Sequence, residues 1–302
     1  MDPADMDPAD MDPADMTGTV TWRDLWAETA SLVGDRAVAR WLCEEASGTE
    51  RDEFVAELDQ PATERGVHHL DSMVARVRAG EPVQYVLGHW AFRRLDLMVD
   101  RRVLIPRPET ELLVDHAIAA MARRPRPLVA ADLGTGSGAL GLALASELWH
   151  DGFEVWLADV SPDALAVARA NLSGIGRAAT SVRVGEGSWF EALPDAVRGR
   201  LDVVVSNPPY IAVDDVDVES VVRDWEPGLA LFAGTDGLDH VRVIVGEAPA
   251  WLAPDGVLLL EIGAGQGAAV AALAVAAGLT DVQVLPDLTG RDRFVQAKRA
   301  AT

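Results

Sequence analysis

Residues 201–211 read Leu-Asp-Val-Val-Val-Ser-Asn-Pro-Pro-Tyr-Ile, and they narrow the possible folds more than any other stretch. Val203, Val204 and Val205 are consecutive β-branched residues with no polar alternation, the pattern of a short strand covered on both faces. Such a strand belongs inside a parallel sheet. It must end at Asn207, because Pro208 and Pro209 can neither extend a ladder nor open ordinary helix pairing. Two prolines also stiffen the chain and leave neighbouring carbonyls without donors from the chain itself.

The surrounding sequence supplies the rest of that sheet. From Leu128 onward, strand and helix patterns alternate regularly, with strands predicted at 128–133, 153–159, 180–185, 201–206 and 256–262. Intervening helices are expected to start at Gly138, at Ser161-Pro162 with the serine as cap, near Gly237 and near Gln266. The last two strands, 281–286 and 293–299, are joined only by a short turn at Thr289-Gly290-Arg291. A connection that short forbids a parallel crossover, so the final pair is antiparallel. The expected class is α/β, a Rossmann-like sheet with a terminal antiparallel hairpin, preceded by a small all-α bundle.

The bundle is read from helical spacing between Thr21 and Gly80. Thr21 with Asp24 has the form of a capping box ahead of Trp22, Leu25, Trp26, Leu32 and Val33. Asp35 caps a second helix that stops at Gly48, Thr49 opens a third carrying Phe54, Val55 and Leu58, and Thr63 opens a fourth that stops at Gly80. His68 and His69 are adjacent and point to different faces, so they do not form a metal pair. Residues 92–105 suggest a two-stranded ribbon turning near Asp100 and Arg101, and a helix is expected from about 111 to 124. Residues 1–15 are Met-Asp-Pro-Ala-Asp written three times, with nothing to bury, so 1–16 reads as a disordered tail in which Met6, Met11 and Met16 are alternative starts. The expected division is therefore a tail at 1–16, a helical domain at 17–88, a ribbon linker at 89–110 and a catalytic domain at 111–302.

Composition excludes several classes. The 302 residues carry 26 Lys plus Arg against 48 Asp plus Glu, a formal charge of -22, which disfavours a general grip on a phosphate backbone. A single cysteine, Cys43, excludes an intrachain disulfide and a cysteine-clustered metal site, and reads as a small core residue. No stretch approaches the roughly 20 apolar residues of a membrane span and no signal peptide opens the chain, so the expected location is the cytoplasm.

A second polar corner lies at Asp132-Leu-Gly-Thr-Gly-Ser-Gly138, after the first strand and at the start of a helix. Gly134, Gly136 and Gly138 let the backbone turn sharply and approach a ligand, with Thr135 and Ser137 between them and free N–H groups at the helix start. Gly134, Gly136 and Ala139 also satisfy a dinucleotide fingerprint, so the loop alone does not separate NAD from S-adenosylmethionine. Asp159, ending the second strand, accepts from ribose hydroxyls in either case. Asp132 tips the choice, together with Asn207-Pro-Pro-Tyr210, toward S-adenosylmethionine, because a carboxylate there faces its cationic methionine end but would repel a pyrophosphate. At the other corner, the Asn207 side-chain oxygen and the Pro208 carbonyl form a pair of acceptors suited to an NH2 group, and Tyr210 adds a flat face that can pack on an amide or a base. No metal is needed for such chemistry.

Asn207-Pro-Pro-Tyr210 resembles the site of methyltransferases acting on amino or amide nitrogens, and a parallel sheet closed by a reversed hairpin resembles class I methyltransferases. With Glu81-Pro82, Leu104-Ile-Pro-Arg-Pro-Glu-Thr-Glu111, Asp132–Gly138, Glu226-Pro227 and Asp236-Gly-Leu238 added, residues 17–300 resemble the bacterial release factor glutamine N5-methyltransferase family, which modifies the glutamine of Gly-Gly-Gln in class 1 peptide chain release factors. The resemblance implies a helical N-terminal domain that engages the release factor. It places Gly134–Gly138 and Asp159 against S-adenosylmethionine, Trp189 beside its adenine, and Asn207, Pro208, Pro209 and Tyr210 around the glutamine amide. Ser188 stands where the family usually has an acidic residue, and Glu186 is the nearby substitute. Two rivals remain at this point: an N6-adenine DNA or RNA methyltransferase, whose exocyclic amino group suits the same acceptors, and a non-catalytic protein that keeps the cofactor loop as a remnant.

Overall fold

The computed structural model describes residues 19–49, 51–216 and 219–301, so the expected tail at 1–16 lies outside the described residues. The described residues form two compact units that divide between Leu87 and Gly88.

In the first unit, α1 (Trp22–Val33) carries the expected capping box, with Thr21 Oγ1 accepting from Asp24 N and Asp24 accepting from Thr21 N. Asp35 caps α2 (Arg36–Ser47) by accepting from Ala37 N at 2.7 Å and Val38 N at 3.1 Å, and Gly48 closes it at φ +72°. The third expected helix is only one turn, α3 (Arg51–Phe54). Beyond it i→i+3 turns replace the α-helix, Ala56 N donating to Glu53 O and Glu57 N to Phe54 O, and the carbonyls of Leu58 and Gln60 accept from Arg23 N and Trp22 N, two of the orphan donors at the start of α1. Thr63 caps α4 (Glu64–Arg78), and α5 (Val83–Leu87) follows where no helix was expected. Arg76 secures α5 by donating to the carbonyls of Tyr85 and Val86 and to Glu81. Trp22, Leu42, Cys43, Phe54, Leu70 and Met73 fill the core between the helices.

The second unit begins with a ribbon of β1 (His89–Phe92) and β2 (Leu95–Met98), paired antiparallel from His89 opposite Met98 to Phe92 opposite Leu95. It turns at Arg93-Arg94, not near Asp100 and Arg101. Arg93 takes φ +53° without being glycine, and its guanidinium is held by Glu147 and Asp115 while its N–H donates to Glu111. Three acidic contacts hold a turn that its own sequence does not announce.

Then come α6 (Glu111–Met121), β3 (Leu128–Leu133), α7 (Ala139–Leu148), β4 (Phe153–Asp159), α8 (Pro162–Gly174), β5 (Val182–Glu186), β6 (Leu201–Ser206), α9 (Ser220–Trp225), α10 (Asp239–Trp251), β7 (Leu252–Glu261), α11 (Gly267–Ala276), β8 (Thr280–Pro286) and β9 (Asp292–Lys298). The sheet order is β5-β4-β3-β6-β7-β9-β8, parallel except for β9, which runs against both its neighbours. Every residue of β3 and β6 is buried, as a strand covered on both faces requires. One core layer packs α6 and α7 against the sheet through Leu113, Leu140, Leu144 and Phe294, and the other packs α10 and α11 through Ile244, Trp251 and Val270.

At Gly185 in β5, an added Cβ would lie 2.1 Å from the Ala192 carbonyl oxygen. Backbone, unlike a side-chain tip, cannot step aside cheaply. Gly185→Ala is expected to destabilise the protein by about 1–3 kcal/mol, read as a lower urea midpoint.

Candidate active site

The interior of the sheet is apolar, and Asp132, Asp159, Ser206 and Glu261 stand at or next to the carboxyl ends of its strands. Asp132 is the penultimate residue of β3 and only 1% exposed. Its Oδ2 accepts from the Thr135 hydroxyl at 2.6 Å and from Gly141 N at 2.9 Å, while Oδ1 has no protein partner. Burial pushes its carboxyl up to about 7, with the nearby Asp159 charge adding to the effect and the two hydrogen bonds opposing it. Asp159, the last residue of β4, accepts from Gly136 N and Ser161 N, both at 2.9 Å, and burial raises it as well. One carboxylate thus shapes the glycine loop, and the other caps its tip.

Gly134, Gly136 and Gly138 all have φ between +55° and +87°, the left-handed region that glycine enters freely. Asn171 of α8 closes the loop from behind by donating to the Ser137 carbonyl at 2.8 Å and exchanging bonds with Met98 of β2. Above the loop, a Cβ on Gly134 would meet the Trp189 ring at 3.2 Å, so that ring covers the glycine closely. Trp189 itself adopts φ +49° and faces His240, with ring centroids 5.3 Å apart.

These groups border a cavity of about 330 Å³. Asp132, Gly134, Thr135, Gly136, Ser137, Asp159 and Trp189 line it, as do Asn207, Pro209 and Ser188. Gly138 does not reach it; a Cβ there would strike Leu142 at 2.7 Å, so this glycine serves the entry into α7. A second cavity of about 310 Å³ is lined by Arg107, Asn207, Tyr210, Asp215 and Glu219. Leu104, Asn207 and Ala230 line both, which makes Asn207 a shared wall. Pro208 is buried and lines neither cavity, while Tyr210 lines only the second. Glu186 is exposed and lines neither.

Several supporting residues carry no signal in their own segments. The Gln266 side chain donates to the Tyr210 carbonyl at 2.9 Å and accepts from Gly263 N at 2.9 Å, holding the Pro-Pro-Tyr corner against α11. Glu226, only 5% exposed, accepts from Arg107 at 2.5 Å and from Ile105 N at 3.2 Å, which ties the wall 104–107 to the segment after β6. Thr110, which borders the first cavity, forms a buried pair with Glu261 beside Asn207. Glu226 and Thr110 belong to motifs quoted above, but their roles emerge only from contacts between segments far apart in the chain.

A parallel sheet with a glycine loop leaves several nucleotide-binding classes open until the last strands are placed. With β9 inserted in reverse between β7 and β8, the fold is that of the class I S-adenosylmethionine-dependent methyltransferases. A family model described as PrmC N-terminal domain matches residues 28–88, and one described as Methyltransferase small domain matches 109–223. A release factor glutamine methyltransferase of Cereibacter sphaeroides is 42% identical over 264 residues, 87% of this chain and 91% of its own length. Another, of Geobacter sulfurreducens, is 38% identical over 261 residues, 86% of this chain and 88% of its own length. A solved structure titled protein-(glutamine-N5) methyltransferase (release factor-specific), from Alicyclobacillus acidocaldarius, is 30% identical with a TM-score of 0.41, covering 65% of this chain and 94% of that one. The chain belongs to the release factor glutamine methyltransferase family.

The raised Asp132 carboxyl has a consequence for stability. Its folded value of about 7 lies above the ordinary 3.8, so the fold holds this proton more tightly than the unfolded chain does. That contribution is fully present below about pH 4 and is lost as pH rises through about 7. Asp132→Asn is therefore expected to show a shallower fall in unfolding free energy between pH 5 and pH 8 than the wild type, measured by urea unfolding without cofactor. Equal slopes would show that Asp132 does not titrate in this range.

Proposed function

We propose that the protein transfers the methyl group of S-adenosylmethionine to the side-chain amide nitrogen of the glutamine in the Gly-Gly-Gln motif of class 1 peptide chain release factors. The observation that carries this reading is Asn207, which separates a cavity floored by Asp132 and the glycine loop from a second cavity walled by Tyr210. Cofactor in the first and glutamine in the second would meet at that residue.

The residues fit the cofactor by their own chemistry. The unpartnered Oδ1 of Asp132, buried and without a cation, suits the positively charged methionine end. Asp159 has acceptor capacity left for ribose hydroxyls after its two backbone bonds. Trp189 offers a flat face for the adenine beside a glycine loop with no side chains in the way. S-adenosylmethionine, when bound, supplies an electrophilic methyl on a sulfonium.

The rest of the catalysis is positioning. An amide nitrogen is a weak nucleophile because its lone pair is delocalised into the carbonyl. Asn207 Oδ1 and the carbonyl of Pro208, a residue that itself borders neither cavity, would each accept one N–H of the glutamine, holding the nitrogen with its free lobe toward the methyl. As the new N–C bond forms, positive charge grows on that nitrogen, and two acceptors already aimed at its protons stabilise it. One of those protons then leaves to water, restoring a neutral methylamide. Tyr210 would pack on the amide plane; burial and the Glu261 charge push its hydroxyl up to about 12, so it stays a neutral phenol. The helical first unit would engage the body of the release factor, and a translation factor as substrate puts the reaction in the cytoplasm. Among the described residues, no helix is long and apolar enough to cross a membrane.

Incubation with a class 1 release factor and cofactor is expected to add one methyl to the Gly-Gly-Gln peptide, located by tandem mass spectrometry. Methylation of duplex DNA in place of the factor would revive the adenine reading. Asn207→Ala is expected to lower kcat by about a hundredfold with cofactor affinity intact. Asp159→Ala, by contrast, is expected to act on cofactor affinity; wild-type affinity by calorimetry would contradict the ribose assignment.

A further inference from the structure

Glu261, at the carboxyl end of β7, is 1% exposed and lies behind the site, not in it. It accepts the Thr110 hydroxyl proton, with Oγ1 2.6 Å from Oε2. The same Oγ1 lies 3.4 Å from Asn207 Nδ2, which donates to it. Three remote segments converge here: the turn ahead of α6, the corner after β6 and the end of β7.

The direction of these bonds follows from an inventory of protons. A threonine hydroxyl has one proton and two lone pairs. Once that proton is committed to a carboxylate, the oxygen can only accept from other neighbours. Asn207 can meet it only with its NH2, which turns its carbonyl oxygen the other way. A carboxamide without such a fixed neighbour has two nearly isosteric orientations, since its O and NH2 ends have similar size. In the flipped one, the Asn207 NH2 would confront the NH2 of a glutamine, donor against donor.

We propose that Glu261, acting through Thr110, is a positioning residue that locks the Asn207 carboxamide with its oxygen toward the substrate nitrogen. This rests on the reading of Asn207 as the acceptor of the glutamine amide and adds what sets its polarity. When ionised, a buried, water-excluded carboxyl suits the task because its bond to the hydroxyl is charge-assisted and no solvent competes for the proton; burial disfavours that form until pH rises through about 7. A neutral amide at position 261 could either accept from Thr110 or donate to it, and the polarity of the chain would no longer be fixed.

The test is methyl transfer to the intact release factor, with kcat, KM and cofactor affinity measured separately. Thr110→Val, which keeps the shape and removes the hydroxyl, is expected to lower kcat about tenfold while leaving cofactor affinity within about twofold. Thr110→Ser restores the hydroxyl and is expected to recover most of the rate. Glu261→Gln is expected to lower kcat by several-fold at unchanged cofactor affinity. The decisive arm combines Thr110→Val with Asn207→Ala. If Thr110 acts through Asn207, its loss has no further effect once the amide is gone; a purely structural threonine would cost the same factor in both backgrounds. Should Thr110→Val not fold, Glu261→Gln in the two backgrounds reads the same coupling. Additive losses, or a wild-type kcat for Thr110→Val beside a crippled Asn207→Ala, would overturn the proposal. A wild-type rate for Asn207→Ala itself would instead remove the reading beneath it.

Discussion

The parallel pairing of β3 with β6 is the constraint on which the rest of the catalytic unit depends. Asp132 lies opposite Val205 and Leu133 opposite Ser206, and the Ser206 hydroxyl donates to the Leu133 carbonyl at 2.6 Å, fastening the two strand ends together. From this pair the chain leaves in opposite directions along the sheet, β3 toward β4 on one side and β6 toward β7 on the other. The loops after the two strands therefore diverge and leave a crevice between them, as they do wherever strand order reverses in an open parallel sheet. Both strands are buried throughout, so polar chemistry can stand only at their ends. Asp132 and Asn207 occupy those ends, and Asp159 and Glu261 occupy the corresponding positions one strand further out on each side.

That placement sets function against stability. Asp132 and Glu261 are carboxyls in an apolar setting, and burial is the leading reason that each is raised to about 7. A protein built only for stability would place apolar groups there, because a buried ionised group without a matched partner costs free energy. The two sites manage the cost differently. Glu261 has the Thr110 hydroxyl and the fields of Arg293 and Arg107 to offset its desolvation. Asp132 has two donors on one oxygen and nothing on the other, so a bound cation would complete what the fold leaves open.

Much of this was legible in the chain because it is local. The Val-Val-Val strand, the glycine loop, the serine cap of α8 and the antiparallel ending each rest on residues within one turn or one strand, where periodicity and proline or glycine chemistry decide. What was not legible depends on partners remote in sequence. The ribbon turn at Arg93 contains no glycine or asparagine and is held by Glu111, Asp115 and Glu147. Past the short third helix of the bundle, carbonyls 58 and 60 accept from the first turn of α1, partners some forty residues earlier that no local pattern announces. Gln266, Asn171 and Glu261 lie in ordinary helix and strand patterns, and only the assembled fold shows which backbone groups or side chains they hold. Gly138, read from its motif as a cofactor contact, opens α7 at φ +87° and is not among the residues that line the cavity.

The Trp189 end of the first cavity follows the same logic of charge in a closed space. Trp189 holds φ +49°, a conformation that costs a tryptophan on the order of 1 kcal/mol, and in return its ring lies across Gly134. Ser188 lines the cavity with a neutral hydroxyl, and Glu186 is exposed and borders neither cavity. A third carboxylate on the wall would add to a repulsion already present, since the Asp159 charge is among the causes that raise Asp132. On the proposed reading, the adenine is held by aromatic contact and shape more than by charge. Discrimination against other bases then falls to the fit between the Trp189 ring and the glycine loop, which depends on Gly185 leaving room for the Ala192 carbonyl beneath the turn that carries the ring.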